Sequence, residues 1–326
     1  VSVVSENTSL TQMARIANLE LAGTGKLNAE VVVNGDDAHV TGGFEVQDAK
    51  VAGLELGVVS GEAFYQGLLL TFENLLLPSL EPVRGNGYVD FKGAGTEYKF
   101  YVNARRTETN QIFSVLKNLN LTFEVPKGGE VNTRITVEGG GERADSVRVS
   151  ASGQGKNFGW FDERWISGAF SLTYADSALD LTKVLLTKPS GALEVRGRFA
   201  KADAKLQLST FGLDIGNFER FGNAPISGEI AGQLVFEGPK GKLFHRGRGE
   251  LKLVKTKFRG VPIPDSVVKL RPEGEKLEYL FNLGSDKMRG RYVRSFDAKS
   301  DELLVYFQDY DFAPLMTLVL SRDIPP

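Results

Sequence analysis

Apolar residues recur at every second position along most of this chain, and this alternation constrains its fold more than any other feature. Leu27, Ala29, Val31 and Val33 form one such row, and the residues between the apolar positions are mostly Ser, Thr, Lys, Glu, Asp or Gly. Because side chains of a β-strand point alternately to opposite faces, a period of two predicts strands with one apolar and one polar face. Similar rows occupy residues 40–46, 54–58, 166–174, 193–199, 226–236 and 277–283.

Strand follows strand with few helix-like segments, which leaves three ways to cover the apolar face. It can stack on a second sheet in a β-sandwich, it can close on itself, or it can curl into an open trough that leaves the face to a ligand. From the residues alone, the sandwich is the commoner outcome.

A longer period is also present. Similar strand segments end at Gly35, Gly139 and Gly238, roughly 100 residues apart. Helix-like patterns occupy residues 112–119 and 213–221, before the second and third of these segments, and residues 312–320 carry another. We therefore predict three β repeat units, at residues 1–107, 108–207 and 208–326, the last including the start of a fourth.

The sequence offers little for catalysis. Cysteine is absent, which excludes disulfides and thiol chemistry, and the two histidines, His39 and His245, lack partners at metal-ligand spacing. There is no Gly-x-Ser-x-Gly elbow and no phosphate-binding glycine loop. A net charge of -2 provides no basic field for nucleic acid. We predict a protein that is not an enzyme, with no catalytic residues, no metal, no cofactor and no nucleic-acid partner.

Two local groups have competing interpretations. Trp160, Phe161 and Trp165 form the densest aromatic group, which fits either a stacking platform for sugars or a plug in the apolar face, and the flanking apolar strands favour the plug. The acidic pair Asp162 and Glu163 fits calcium binding or acid–base chemistry, but adjacent turn-forming residues favour turn chemistry.

No segment reaches the roughly 20 apolar residues needed to span a bilayer. Residues 1–21 lack the pattern of a secretion signal, and the chain opens without Met. We expect it to be part of a longer protein.

Several segments resemble the recurring elements of the TamB/AsmA-like family. The segment from Pro225 to Gly238, PISGEIAGQLVFEG, is similar to its "Ile-Ser-Gly, then Gly, then an apolar strand, then Gly" pattern. In that family such segments follow a short Leu-Asp-Leu/Ile stretch, as residues 213–215 do here, and residues 311–315 look like the same element. Residues 166–174 and 189–197 resemble its strand pairs.

The resemblance implies an all-β fold: a long, mostly antiparallel sheet curled into an open groove, with an apolar lining and a few short helices. It implies a protein of the periplasm of a diderm bacterium, anchored to the inner membrane in its full length. The implied function is passive phospholipid transport between inner and outer membranes, contributing to outer-membrane biogenesis. Expected partners are phospholipid acyl chains, with an Omp85-type outer-membrane barrel and inner-membrane proteins bound through parts outside this chain. Roughly 25 strands would give a groove of order 120 Å.

From the alternation we predict which side chains line this groove and bind lipid. They are Val31, Val33, Phe44, Leu56, Phe123, Ile135, Phe170, Leu172, Val195, Leu234, Phe236, Leu253, Tyr279 and Phe281. A register slip of one residue would invert the face.

Three alternatives remain open at this stage. One is a structural or adhesive protein of stacked β-sandwich repeats, with a dry interior. Another is an enzyme or sugar-binding protein that uses Trp160 and Trp165. The last is a scaffold for assembly of outer-membrane β-barrel proteins, which would offer an unpaired sheet edge to their strands.

Overall fold

The computed structural model describes residues 1–9, 21–34, 37–51, 54–78, 83–91, 95–109, 126–140, 147–160, 162–219, 226–239, 245–274, 276–283, 288–295 and 302–307. Within these ranges the chain is almost entirely β-strand. The predicted helical stretches 112–119 and 312–320 and the predicted lining residue Phe123 lie outside the described residues.

Twenty strands are described, and most pair with their neighbours along the chain; the two-residue β16 pairs with β15, which also pairs with β17. Their bounds are Ser2–Ser9 (β1), Leu21–Asn34 (β2), Asp37–Val51 (β3), Leu54–Gln66 (β4), Leu69–Leu76 (β5), Val83–Asp90 (β6), Glu97–Glu108 (β7), Glu130–Gly140 (β8), Arg148–Trp160 (β9), Glu163–Ala175 (β10), Ala178–Lys188 (β11), Gly191–Phe199 (β12), Asp203–Asp214 (β13), Ile226–Pro239 (β14), Arg246–Phe258 (β15), Val261–Pro262 (β16), Ser266–Glu273 (β17), Lys276–Leu283 (β18), Met288–Ser295 (β19) and Glu302–Phe307 (β20).

All described strands belong to one antiparallel sheet that does not close on itself. This confirms the expected all-β fold of antiparallel strands.

The chain divides into two compact units, whose boundary falls within and just after β10. The first comprises Val1–Phe161 and Phe170–Ser177, and the second comprises Asp162–Ala169 and Ala178–Pro326. The division into three repeats of about 100 residues stays a prediction.

In the first unit, extra residues interrupt the register at one end of the strands. Asp48, Asn74 and Arg106 have left-handed backbone conformations, with φ of 51°, 50° and 50°, and each lies at a register shift. These are β-bulges, which bend a strand and increase its twist. We call this end of the strands the bulged end and the other the unbulged end.

The second unit has the same asymmetry. Gly212 in β13 and Lys255 in β15 have φ of 61° and 53°, and both lie at register shifts near the same end of the sheet. Beyond the end of β13, Ile215–Asn217 form a short 3-10 helix, with Asp214 as its N-cap. A longer helix was predicted over residues 213–221. The 3-10 helix is the described part of that stretch, and it is shorter than predicted since the backbone is already extended at Phe218. The part of the chain that the structure describes holds no helix long and apolar enough to cross a membrane.

Candidate functional site

In the first unit, the register places apolar side chains of successive strands on one face. Val40 of β3 pairs with Val31 of β2 and with Tyr65 of β4, and directly paired residues share a face. The same reasoning extends this surface, which we call the apolar face, through β9. Its main members are Leu27, Ala29, Val31, Val33, Val40, Phe44, Val46, Val59, Ala63, Tyr65, Leu70, Phe72, Val83, Val89, Tyr98, Phe100, Val102, Ala104, Val131, Ile135, Val137, Val149 and Ala151.

In the second unit, an equivalent apolar face runs from β11 to β20. Leu208 of β13, for example, pairs with Val195 on one side and with Leu234 on the other. From β12 to β18, the residues placed on this face are apolar, glycine, Thr or Ser. They include Leu193, Val195, Leu206, Leu208, Ile230, Leu234, Phe236, Leu251, Leu253, Val268, Leu270, Tyr279 and Phe281.

Most predicted lining residues therefore share the expected face within their own unit. In the first unit Val31, Val33, Phe44 and Ile135 do so by register. Leu56 and Phe170 pack against the buried cluster of Leu77, Val83, Ala104 and Val131, and Leu172 follows Phe170 by alternation along β10. In the second unit all six do so: Val195, Leu234, Phe236, Leu253, Tyr279 and Phe281.

The side chains on the apolar face of the first unit are more deeply buried at the bulged end than at the unbulged end. Towards the bulged end the side chains are dry; Val46, Leu75, Val83, Ala104 and Val131 are all below a tenth exposed. Towards the unbulged end most are only half-buried, including Val40, Tyr65, Leu70, Phe72, Tyr98 and Phe100. Val89 and Val149 are buried residues nearer to that end. The accessible part of this face therefore lies away from the bulges.

Glycines make room for large side chains on the apolar face. Gly153 lies beside Phe170, and a β-carbon at Gly153 would lie 2.8 Å from Phe170 Cζ. Gly87 pairs with both Phe72 and Phe100. Because a bare backbone lets a neighbouring ring lie flat across it, these pairs pack rings along the sheet.

The rings of the first unit also contact each other. The ring centroids of Phe44 and Phe72 are 5.8 Å apart in an edge-to-face arrangement. Those of Phe72 and Phe100 are 5.7 Å apart, and Tyr98 lies 6.2 Å from Phe100. This row crosses several strands and forms a continuous aromatic surface.

The opposite, polar face carries the charges of both units. In the first unit Lys99 Nζ lies 2.9 Å from Glu138 Oε2, and Arg148 lies 3.9 Å from the same carboxylate. Glu138 raises the pKa of Lys99 above its usual value. In the second unit Lys255 pairs with Glu229 at 3.1 Å and Arg291 with Glu278. These exposed pairs contribute little to stability, but they keep this face hydrated.

A buried ion pair in the second unit was not predicted. Lys188 Nζ lies 2.8 Å from Glu163 Oε2, and the two side chains are 3% and 7% exposed. Lys188 also donates to the Asn217 carbonyl at 2.8 Å, and the Glu219 N–H donates to Glu163 at 2.9 Å. The rings of Trp165 and Phe218 lie 5.1 and 5.0 Å from the ammonium.

This ion pair fastens the 3-10 helix to the bulged end of the second unit. Asp214 supports it by accepting from the Gly216 N–H at 2.8 Å, and Ser190 Oγ accepts from Asn217 Nδ2 at 2.6 Å. Trp165 is 4% exposed, so it packs as a plug rather than as an open stacking platform. Turn chemistry applies to Asp162, with φ of 58°, whereas Glu163 is part of the buried pair.

No sequence signal pointed to this pair, because Glu163 and Lys188 are 25 residues apart and each also fits an exposed strand end. Among the described residues, no three His, Cys, Asp or Glu side chains are grouped closely enough to hold a metal ion. No protein-family model, curated protein or solved structure matches this chain.

Proposed function

We propose that the apolar face of each unit binds the acyl chains of phospholipids, and that the chain is part of a TamB/AsmA-like conduit. In this proposal the conduit carries lipids passively between the inner and outer membranes of a diderm bacterium. The observation that carries the proposal is the uncharged apolar face, which continues from strand to strand and is only half-buried in the first unit towards the unbulged end.

Acyl chains fit this face better than a polar ligand does. A pocket for a polar small molecule places a few polar groups to fix its orientation, whereas most neighbouring positions here are apolar residues or glycine across many strands, and none of those that carry the argument is charged. Each CH2 removed from water contributes about 0.8 kcal/mol. A uniform apolar surface stabilises a chain equally at successive positions, so the chain can move along it without a large barrier.

The polar face supports the same function. Its charged side chains stay in water, so the sheet has one wet face and one that accepts hydrocarbon. Nothing in the proposal requires an enzymatic step, and the lipid would move down its own gradient.

The test compares charges placed on opposite faces of the same strands. Phe100→Glu and Leu234→Glu introduce a carboxylate on the apolar face, and Tyr101→Glu and Gln233→Glu introduce one on the polar face at the adjacent residue. Each variant is produced in a bacterium, checked for folding by circular dichroism and urea unfolding, and examined by native mass spectrometry with lipid extraction.

We expect the unsubstituted chain and the two polar-face variants to retain phospholipid and the two apolar-face variants to lose it. A folded, lipid-free parent chain would refute the proposal and favour a structural or adhesive role. Equal lipid loss in both members of a pair would also refute it, since the loss would then not depend on the face.

A second candidate, a scaffold for outer-membrane strands, is favoured by the outer strands of the sheet. Among the described strands, β1 pairs only with β2 and β20 only with β19, and Val4 and Tyr306 are 69% and 64% exposed. Extended peptides add to such edges. Peptides retained by the purified chain, in place of lipid, would support this candidate.

A further inference from the structure

Tyrosines and phenylalanines occupy different positions on the apolar face of the first unit. Tyr65, Tyr98 and Tyr174 each lie one residue from the unbulged end of their strands, β4, β7 and β10. Tyr65 and Tyr98 are placed on the face by register, and Tyr174 follows Phe170 by alternation. The phenylalanines of the same face lie further from that end; they are Phe44, Phe72, Phe100 and Phe170.

The three tyrosines are regularly spaced, since each lies on the third strand after that of the one before it. With neighbouring strands about 4.8 Å apart, successive tyrosines lie about 14 Å apart across the sheet. All three are half-buried.

Their hydroxyl groups are available to a ligand. Among the residues that the structure describes, none of the three hydroxyls makes a hydrogen bond. The ring of Tyr98 lies in apolar surroundings, and its burial raises the pKa of the phenol above 10.0. Gly139 makes room for it, since a β-carbon there would lie 2.6 Å from Tyr98 Cζ. Tyrosine combines an apolar ring with a polar tip and therefore suits a boundary between hydrocarbon and water.

Resting on the proposed function, we infer that a bound phospholipid has a fixed orientation on this unit. Its phosphate and ester groups lie at the unbulged end and accept a hydrogen bond from one of Tyr65, Tyr98 and Tyr174, which are too far apart to share one headgroup and therefore mark successive positions for a lipid. Its acyl chains extend towards the bulged end, over Phe72 and Phe100. The dry side chains at the bulged end leave no room for a hydrated headgroup there.

Photocrosslinking tests the orientation directly. The intact chain is loaded from vesicles with phosphatidylethanolamine that carries a diazirine either on its headgroup or on the last carbon of one acyl chain. After irradiation, the crosslinked peptides are mapped by mass spectrometry. We expect the headgroup probe to label residues next to Tyr65 and Tyr98, and the acyl probe to label residues around Phe44, Phe72 and Val102, which lie further from the unbulged end and are half-buried.

Substitution tests the role of the hydroxyls. The triple variant Tyr65→Phe, Tyr98→Phe, Tyr174→Phe keeps the rings, and Tyr88→Phe with Tyr101→Phe removes hydroxyls from the polar face as the matched control. Since a net hydrogen bond corresponds to about a fivefold change in affinity, we expect the triple variant to bind phosphatidylethanolamine about fivefold more weakly. Hexadecane, which has no headgroup, should bind both variants as it binds the parent chain.

The possible outcomes separate this inference from the function beneath it. If the parent chain binds lipid but the headgroup probe labels the bulged end or both ends equally, the orientation is wrong while lipid binding stands. Unchanged phosphatidylethanolamine affinity in the triple variant would also overturn the role of the tyrosines. A parent chain that takes up neither probe refutes both.

Discussion

The buried pair of Lys188 and Glu163 gives the sharpest prediction of stability. Both side chains are below a tenth exposed and their charged atoms are 2.8 Å apart. Removing one partner of such a pair leaves an uncompensated charge out of water, which costs about 3–5 kcal/mol. We therefore expect Lys188→Met to lower the free energy of unfolding of the second unit by that amount.

The two single substitutions should not cost the same. After Glu163→Gln the ammonium keeps the Asn217 carbonyl and the faces of Trp165 and Phe218, so its cost should be smaller. After Lys188→Met, the carboxylate keeps the Glu219 N–H but loses its counter-ion.

The double variant Glu163→Gln, Lys188→Met removes both charges together. Because it leaves no unpaired ion, we expect it to be more stable than Lys188→Met alone, with a coupling energy of about 3 kcal/mol. Unfolding in urea is followed by the fluorescence of Trp165, in a Trp160→Phe background that leaves one indole. Strictly additive single effects would refute the reasoning, since they would mean that the two charges do not depend on each other.

Two further predictions concern the first unit. Gly42→Ala would bring its β-carbon within 2.8 Å of Ala29 Cβ, whereas a β-carbon at Gly43 would have its nearest atom 3.9 Å away. Urea unfolding should therefore show a free energy of unfolding about 1–3 kcal/mol lower for Gly42→Ala and unchanged for Gly43→Ala. Equal effects of the two substitutions would contradict the close approach at Gly42. Burial raises the pKa of Tyr98, so above pH 10 the folded state keeps a proton that the unfolded state releases, and the free energy of unfolding should fall as pH rises. Phenolate absorbance should accordingly lose a component that titrates above pH 10 in Tyr98→Phe, and an unchanged titration would contradict this assignment.

The alternation of residues predicted which side chains share a face, because a strand allows only two directions for a side chain. Leu234 and Phe236, for example, were assigned from spacing alone and share a face in the structure. The bulges were not predictable in this way. In β13 the shift at Gly212 places Leu213, rather than its neighbours, opposite Ile230, and it leaves Phe211 55% exposed.

The division of the apolar face into a dry part and an accessible part was also beyond the sequence. Val46 and Val40 belong to the same alternating row, yet Val46 is 5% exposed and Val40 is half-buried. Burial depends here on where each residue lies relative to the bulges, which bend the strands locally. Spacing along one strand contains no information about its neighbours' bulges.

The glycines of the apolar face explain how aromatic side chains of neighbouring strands come into contact along the sheet. At Gly87 the backbone leaves room for Phe100 beside Phe72, so the two rings contact each other along the sheet. A larger residue at such a position would push the ring outwards and expose it. Phe72 and Phe100 stay half-buried in this arrangement, and the apolar surface that they keep accessible is where the proposed acyl chains would bind.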